Sequence, residues 1–369
     1  MSVAREQSEL LAQTVASQFL HMDQSGLLDA ERKRFARGEW PSALWDTIDE
    51  CGFASVMLPE DEGGFGGGWE EAFVVLFFAG AHAIPLPIAE TMLARKLLSR
   101  AKLPIPPGPL ALFCANGLRS VQSGIGAWQL SGNAVGVRWA IFADHLVASH
   151  PDGEAFRVAL VSRLNADSAE PEYSIAREPI VRMRFDCTPV VATGCIEDDP
   201  FLQGALGRVA LMAGALSAAL TQSVTYSSER QQFGKAIGKF QAIQHALASL
   251  ASEAAAVSCA GLAACRAVDR GGGAFEVAAA KLRANRAVQI ATSIAHQVHG
   301  AIGFTQECRL HRSTQSLWAW RSEYGNDRFW ATRIAELALR RGPREFWPYL
   351  TALSDSHAIG ARSSGSRNT

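Results

Sequence analysis

Residues Tyr226–Gln244 read YSSERQQFGKAIGKFQAIQ, and the rest of the chain can be arranged around them. The stretch sets a basic residue, an aromatic and a glycine in tight order, Arg230, Phe233 and Gly234, between long Ala-rich segments. A guanidinium is a planar, permanently charged fork that suits a pyrophosphate. A phenylalanine three residues on can pack against a flat base or a ribose, and the glycine lets the backbone turn sharply. The same spacing also fits a plain helix end, with Arg230 in the last turn and Gly234 as the cap. About one helical hairpin downstream stands HQVHGAIGF, His296–Phe304. Taken together, the two stretches predict one nucleotide-binding surface.

On both sides the pattern is helical, from about 201 to 345. FLQGALGRVALMAGALSAALTQSVTYSSER is long, rich in Ala and Leu, and free of proline. A second helix is predicted from about Phe240 through Ala267, a turn at Gly271–Gly273, and a third helix ending at Gly300. A fourth is predicted through Trp318 and Trp320 to Arg341. Long helices joined by short loops pack as antiparallel neighbours, so 201–345 reads as a four-helix bundle. Residues 346–369 read as a tail that is partly disordered, polar from about Asp355.

Residues 1–105 form an N-terminal helical domain in this reading. Leu10, Leu11, Val15 and Phe19 fall near one helical face, Trp45 and Ile48 on another, and Gly52 is a stop signal. PEDEGGFGGG, Pro59–Gly68, is a loop that tempts a phosphate-cradle reading. Its glycines do not fit G-x-G-x-x-G, because Trp69 stands where the third glycine belongs and no strand–turn–helix unit surrounds it. Residues 106–200 change character: short runs rich in β-branched and aromatic residues alternate with Gly, Asp and Asn, which predicts a small middle β-barrel or sandwich. The fold class is therefore mainly α with a middle β-domain.

Composition excludes several functions. The chain has 369 residues with 35 basic against 36 acidic, which gives no electrostatic basis for nucleic-acid binding. Seven cysteines are scattered without a CxxC pair, which fits a reducing compartment and argues against a zinc knuckle. His296 and His299 lie three apart, but without HExxH or a third ligand no metal site is expected. The N-terminus lacks a signal-peptide pattern and the apolar runs are too short to span a bilayer, so a cytoplasmic protein with no membrane partner is expected. Glu323 lies among Trp318, Trp320, Tyr324 and Phe329, a setting that desolvates a carboxylate and makes it a better base. Pairing with Arg321 or Arg328 is the simpler reading of the same residue.

In this order the segments resemble the acyl-CoA dehydrogenase family over nearly the whole chain. ERQQFGKAIGKFQAIQ is similar to the family's R-x-x-F-G segment, and HQVHGAIGF to its Q-x-x-G-G-x-G-F segment. LWDTIDECGFASVMLPEDEGGFGG resembles the N-terminal helix pair with its P-E-x-x-G-G-x-G loop, and GAWQLSGNAVGVRWAIFADHLVAS the first middle-domain strands. The resemblance implies an N-terminal helical domain, a middle β-domain and a C-terminal four-helix bundle, with FAD extended at a subunit interface. It assigns contacts with FAD to Arg230, Phe233, Ile237, Ile243, Gln297, Gly300 and Ala301, the last replacing a family glycine. It also implies α,β-dehydrogenation of an acyl-CoA thioester, with a glutamate removing the α-proton and electrons passing on to an electron-transfer flavoprotein.

The departures from the family pattern carry as much information. Nothing like the T-E-P-x-x-G-S-D loop stands between Ala111 and Leu130, and a W-x-S/T contact is represented only by RWAIF. Counting from Arg312 without gaps puts Arg321 at the family's catalytic position; Glu323 takes it with a two-residue insertion, as EYGN. The alternative family position falls near Gly204, which has no carboxyl. These losses resemble the short members of bacterial steroid and cyclic-acid catabolism, which often work as heteromers. Two functions are implied. One is FAD-dependent dehydrogenation of a bulky or cyclic acyl-CoA by a homo- or hetero-oligomer, with Glu323 as catalytic base. The other is a non-catalytic partner that lends half of an FAD site to a sister chain in a heterotetramer.

Overall fold

Helices, then strands, then helices again: the computed structural model, which describes residues 2–362 apart from 116, 123–126 and 169, has this order throughout. The first helical unit comprises α1 (Ser2–Gln24), α2 (Leu27–Ala36), α3 (Ser42–Glu50), α4 (Trp69–Ala81) and α5 (Ile88–Arg100). Val15 and Phe19 on α1 are fully buried while Leu10 points to solvent, so the predicted apolar face is narrower than the pattern. Leu44, Trp45 and Ile48 anchor α3, and Gly52, at φ 71°, turns the chain away after it. The glycine loop leads directly into α4. The free amides at the α4 N-terminus are taken by Asp269, which accepts from Trp69 N at 2.9 Å and from Glu70 N at 3.3 Å.

The middle β-region contains β1 (Leu110–Cys114), β2 (Arg119–Gln122), β3 (Trp128–Arg138), β4 (His145–Asp152), β5 (Ala155–Ser162), β6 (Asp167–Ser168), β7 (Glu172–Tyr173), β8 (Pro179–Pro189) and β9 (Ala192–Ile196). They form two sheets, ordered β1-β4-β5-β9 and β2-β3-β8-β6 with β7 also on β8, so the described strands make a sandwich rather than one closed barrel. The pairing of β1 with β4 is parallel; the others are antiparallel. On β8 the alternation of Val181, Met183 and Phe185, buried, with Arg182 and Arg184, exposed, gives the second sheet one wet face. The first sheet is buried on both faces. Ala111, Phe113, Leu146 and Val161 face the second sheet, while Leu110, Leu112, Val147 and Leu160 join the core shared with the helices.

The C-terminal unit is α6 (Pro200–Glu229), a hairpin of β10 (Gln231–Gln232) and β11 (Lys235–Ala236), then α7 (Gln241–Asp269), α8 (Ala274–His299), α9 (Leu310–Arg321) and α10 (Asp327–Arg362). Asp199 caps α6 by accepting from Phe201 N at 2.9 Å. Small residues bring α4 and α6 together. A Cβ on Gly214 would collide with the Phe77 carbonyl, and one on Gly80 with that of Leu211.

Three expectations need correction. The fourth bundle helix is two, because the chain breaks at 322–326, where Tyr324 and Gly325 take φ 50° and 98°. The segment expected as a tail from 346 is helical to Arg362 past a kink at Gly342, and 363–369 lie outside the described residues. Finally, α6 and α7 are both long and apolar enough, by length and composition, to cross a membrane. Their apolar runs are short, but Ala-rich helix between them raises the average over a longer window. In the fold, α6 is a core helix, whereas only 22% of the apolar window of α7 is buried, its exposed apolar residues being small ones such as Ala248 and Ala255.

Candidate functional site

Two places carry the residues singled out in the sequence, and they differ in every physical respect. The first is an end of the bundle. Arg230 closes α6, its amide donating to Tyr226 O at 2.9 Å, and its own carbonyl accepts from Ile237 N at 2.8 Å. Gly234 is not the helix cap. It lies beyond the helix end, in the hairpin turn, where Phe233 and Gly234 both have positive φ, 52° and 80°. That pairing is the two-residue turn whose twist matches a β-hairpin. It holds Phe233 out in solvent, 92% exposed. Arg230 is exposed and has no ion pair among the described residues. Ile237 and Ile243 are half-buried just behind the hairpin.

The second sequence motif meets the first here. Tyr226 near the end of α6 stacks on His299 at the end of α8, ring centroids 4.6 Å apart. Gly300, at φ 63°, ends α8, and Gln297, Gly300 and Ala301 are all exposed. The two histidines are structural. His296 stacks on Phe304 at 4.4 Å and shares a 3.1 Å hydrogen bond with Thr314 Oγ1; His299 Nδ1 lies 2.8 Å from Ala295 O.

Glu323 belongs to the second place, a buried junction of all three units. It lies in the break between α9 and α10. Its Oε2 accepts from Arg208 Nε of α6 at 2.6 Å, and its Oε1 lies 2.7 Å from Arg138 NH2 of β3. Arg208 also pairs with Glu90 of α5. Arg138 donates to Glu178 Oε2 at 2.8 Å, and Trp320 Nε1 donates to Glu178 Oε1 at 3.1 Å. Burial, then the nearby Glu323 charge, pushes the Glu178 carboxyl up to about 7. Lys281 tethers the break by donating to Trp320 O at 3.2 Å and Arg321 O at 3.1 Å. Arg321 and Arg328, the predicted simple partners of Glu323, are not its partners; Arg321 pairs with Asp327 at 2.7 Å.

Two cavities beside Arg208, one reaching Tyr324 and the other Trp139 and Trp320, hold about 10 Å³ each. A Cβ on Gly204 would strike the Tyr324 ring, so the small residues of α6 admit Tyr324 and α4 rather than widen a pocket. A cleft of about 800 Å³ opens on the far side of Phe201 and Phe329, between the β1 and β4 ends and the α10 start, and Glu323 does not line it. Trp139 of the RWAIF segment is buried and packs against Phe35 at 5.5 Å, and Ile141 brings no hydroxyl.

Arg138, Glu178, Glu90, Arg208 and Lys281 escaped the sequence reading. A usable signal existed: single charges inside apolar helical runs, Arg208 in GALGRVALM and Glu90 in PIAETMLA, with opposite signs. Charges at such positions are rarely buried unless paired.

A three-unit fold of this order, with an exposed basic–aromatic bundle end and a β-region packed against α5, defines a class, and the comparisons agree with it. Residues 199–337 match the family model described as acyl-CoA dehydrogenase, C-terminal domain. The chain is 30% identical over 308 residues to acyl-CoA dehydrogenase IpdE2 of Mycobacterium tuberculosis, covering 83% of this chain and 89% of that one. This chain belongs to the acyl-CoA dehydrogenase family and is an acyl-CoA dehydrogenase-like oxidoreductase. Among solved structures, the ChsE4-ChsE5 complex of M. tuberculosis has a TM-score of 0.80 at 20% identity, covering 90% of this chain and 98% of that chain. A steroid ACAD has a TM-score of 0.80 at 23% identity, covering 90% and 97%. Both show the shared fold.

Proposed function

We propose that this chain is the flavin-gripping subunit of an FAD-dependent acyl-CoA dehydrogenase that acts on a bulky or cyclic acyl thioester, and that the base and the acyl pocket belong to a sister chain. The observation that carries the proposal is the closed junction. Glu323 is held by two arginines from different units, and the two cavities described beside Arg208 hold about 10 Å³ each, room for about one water. A base must come within hydrogen-bond reach of the proton it removes.

The bundle end fits the opposite role. Among the described residues Arg230 has no competing carboxylate, Gln297 offers an exposed amide, and Phe233 presents an open ring. These groups suit the pyrophosphate and adenosine end of FAD. Ile237 and Ile243 would supply apolar contact, and Gly300 and Ala301 exposed backbone. When bound, FAD supplies the hydride acceptor. The low burial of the Ala-rich α7, 22% over its apolar window, supports an oligomer in which a second chain covers it. An electron-transfer flavoprotein as acceptor and a cytoplasmic location complete the reading.

A competing reading keeps Glu323 as the base of a homo-oligomer. It rests on Glu323 Oε1, which has an ion pair but no hydrogen bond. Purifying the chain alone and with a co-expressed sister chain separates the two. A colourless chain that turns yellow and active only in the pair supports the shared site; a yellow, active homomer supports Glu323.

A further inference from the structure

Between α2, the start of α9 and the turn before β8 lies a cleft of about 550 Å³ that the proposed flavin grip does not use. Basic groups dominate its wall: Arg32, Lys33, Arg177, His311 and Arg312, against a single carboxylate, Asp29. That carboxylate is already shared three ways, with Arg312 at 3.0 Å, Arg309 at 3.1 Å and Arg32 at 3.3 Å. Asp23 takes only Arg309, at 2.9 Å. Lys33 and Arg177 are exposed, and neither side chain has a partner among the described residues. The cleft therefore keeps an uncompensated positive charge.

Two further features belong to this cleft, besides the bonds Arg32 makes to Asp29 and to the His82 carbonyl. Arg32 is largely buried with its Nε unbonded, and burial, helped by the Arg312 charge, holds its guanidinium down to about 10. Arg177 sits at φ 61°, a conformation that costs a non-glycine residue energy and persists where surroundings impose it. The strained turn sends Glu178 inward to the buried junction and leaves Arg177 on the cleft wall. Phe35 and Phe304 add aromatic surface beside the charges, and Phe304 is 73% exposed.

We propose that this cleft binds a phosphorylated anion, with Lys33 and Arg177 as the groups that engage the phosphate and Phe35 and Phe304 as an apolar shelf for any attached flat group. Its charged groups, Lys33 and Arg177, are not among those assigned to the flavin grip at Arg230.

Calorimetric titration of the full chain, in the assembly in which it purifies, tests the proposal with inorganic pyrophosphate and then ADP. Pyrophosphate should bind. A Lys33→Ala/Arg177→Ala double variant should bind at least about tenfold more weakly, the scale of losing charge-assisted hydrogen bonds. The charge-preserving pair Lys33→Arg/Arg177→Lys should retain binding, and Arg230→Ala should not change it. ADP binding tighter than pyrophosphate marks the ligand as a nucleotide, and equal binding marks a simple phosphate. Absence of binding, a double variant that binds like the wild type, or loss through Arg230→Ala overturns the proposal.

Discussion

Charges in this molecule fall into two sets that behave in opposite ways. At the bundle end, Arg230 stands in solvent without a carboxylate partner among the described residues, next to a ring held out by a strained hairpin turn. At the three-unit junction, Glu90, Arg208 and Glu178 are buried, Glu323 and Arg138 are mostly shielded, and the five answer one another. An exposed unpaired charge loses little by waiting in water and is free to meet a ligand. A buried charge is tolerable only when paired, so its chemistry is already spent on its neighbours. On the proposed reading, binding falls at the periphery, and the interior, where the family resemblance would put chemistry, joins the domains.

The largest effect should come from breaking the interior set. Arg208→Leu leaves Glu90 and Glu323 buried beside an apolar side chain and should destabilise the protein by about 3–5 kcal/mol, read by denaturant unfolding. Replacing Glu90, Arg208 and Glu323 together with apolar residues should cost less than Arg208→Leu alone, since no charge is stranded. If the triple variant is worse, the set does more than compensate itself.

At the periphery the signature is reversed. Arg230→Ala should leave unfolding unchanged within about 0.5 kcal/mol, as for surface sites generally. It should weaken FAD retention by the assembly about tenfold to a hundredfold. Flavin-to-protein ratio after dialysis reads this directly. Phe233→Ala should give a smaller loss of about 0.5–1.5 kcal/mol of flavin affinity, the worth of an aromatic contact.

A pH scan sharpens the interior side. A carboxyl whose folded pKa is raised stabilises the fold when protonated. The Glu178 contribution is complete below about 4.5 and is lost as pH rises past about 7. Glu178→Gln should therefore flatten the decline in stability across that window.

Much of the fold was legible because its signals are local. Proline-free Ala-rich runs gave α6, α7 and α8, and short β-branched runs gave the middle strands. The hairpin after Arg230 was misread because FG followed a helix, and a helix cap and a two-residue turn both ask for a residue with positive φ. Closure of the sheets was not legible, because alternation fixes which face is buried and leaves the pairing order open. Glu323 stood out in the sequence for its aromatic neighbours, yet its partners lie 115 and 185 positions away on α6 and β3, beyond any local pattern. Arg230 and Gln297 lie on separate motifs, but the Tyr226–His299 stack that unites their helices could not be read from spacing.

The central claim is that this chain grips a flavin and does not itself supply the base. The most direct measurement is turnover of a flavin-saturated complex of this chain and its sister carrying Glu323→Gln here. The account predicts turnover within about twofold of the unmodified complex, since general-base loss is what costs about 10²–10⁴-fold. A fall of that size with flavin content unchanged would place the base in this chain and contradict the account.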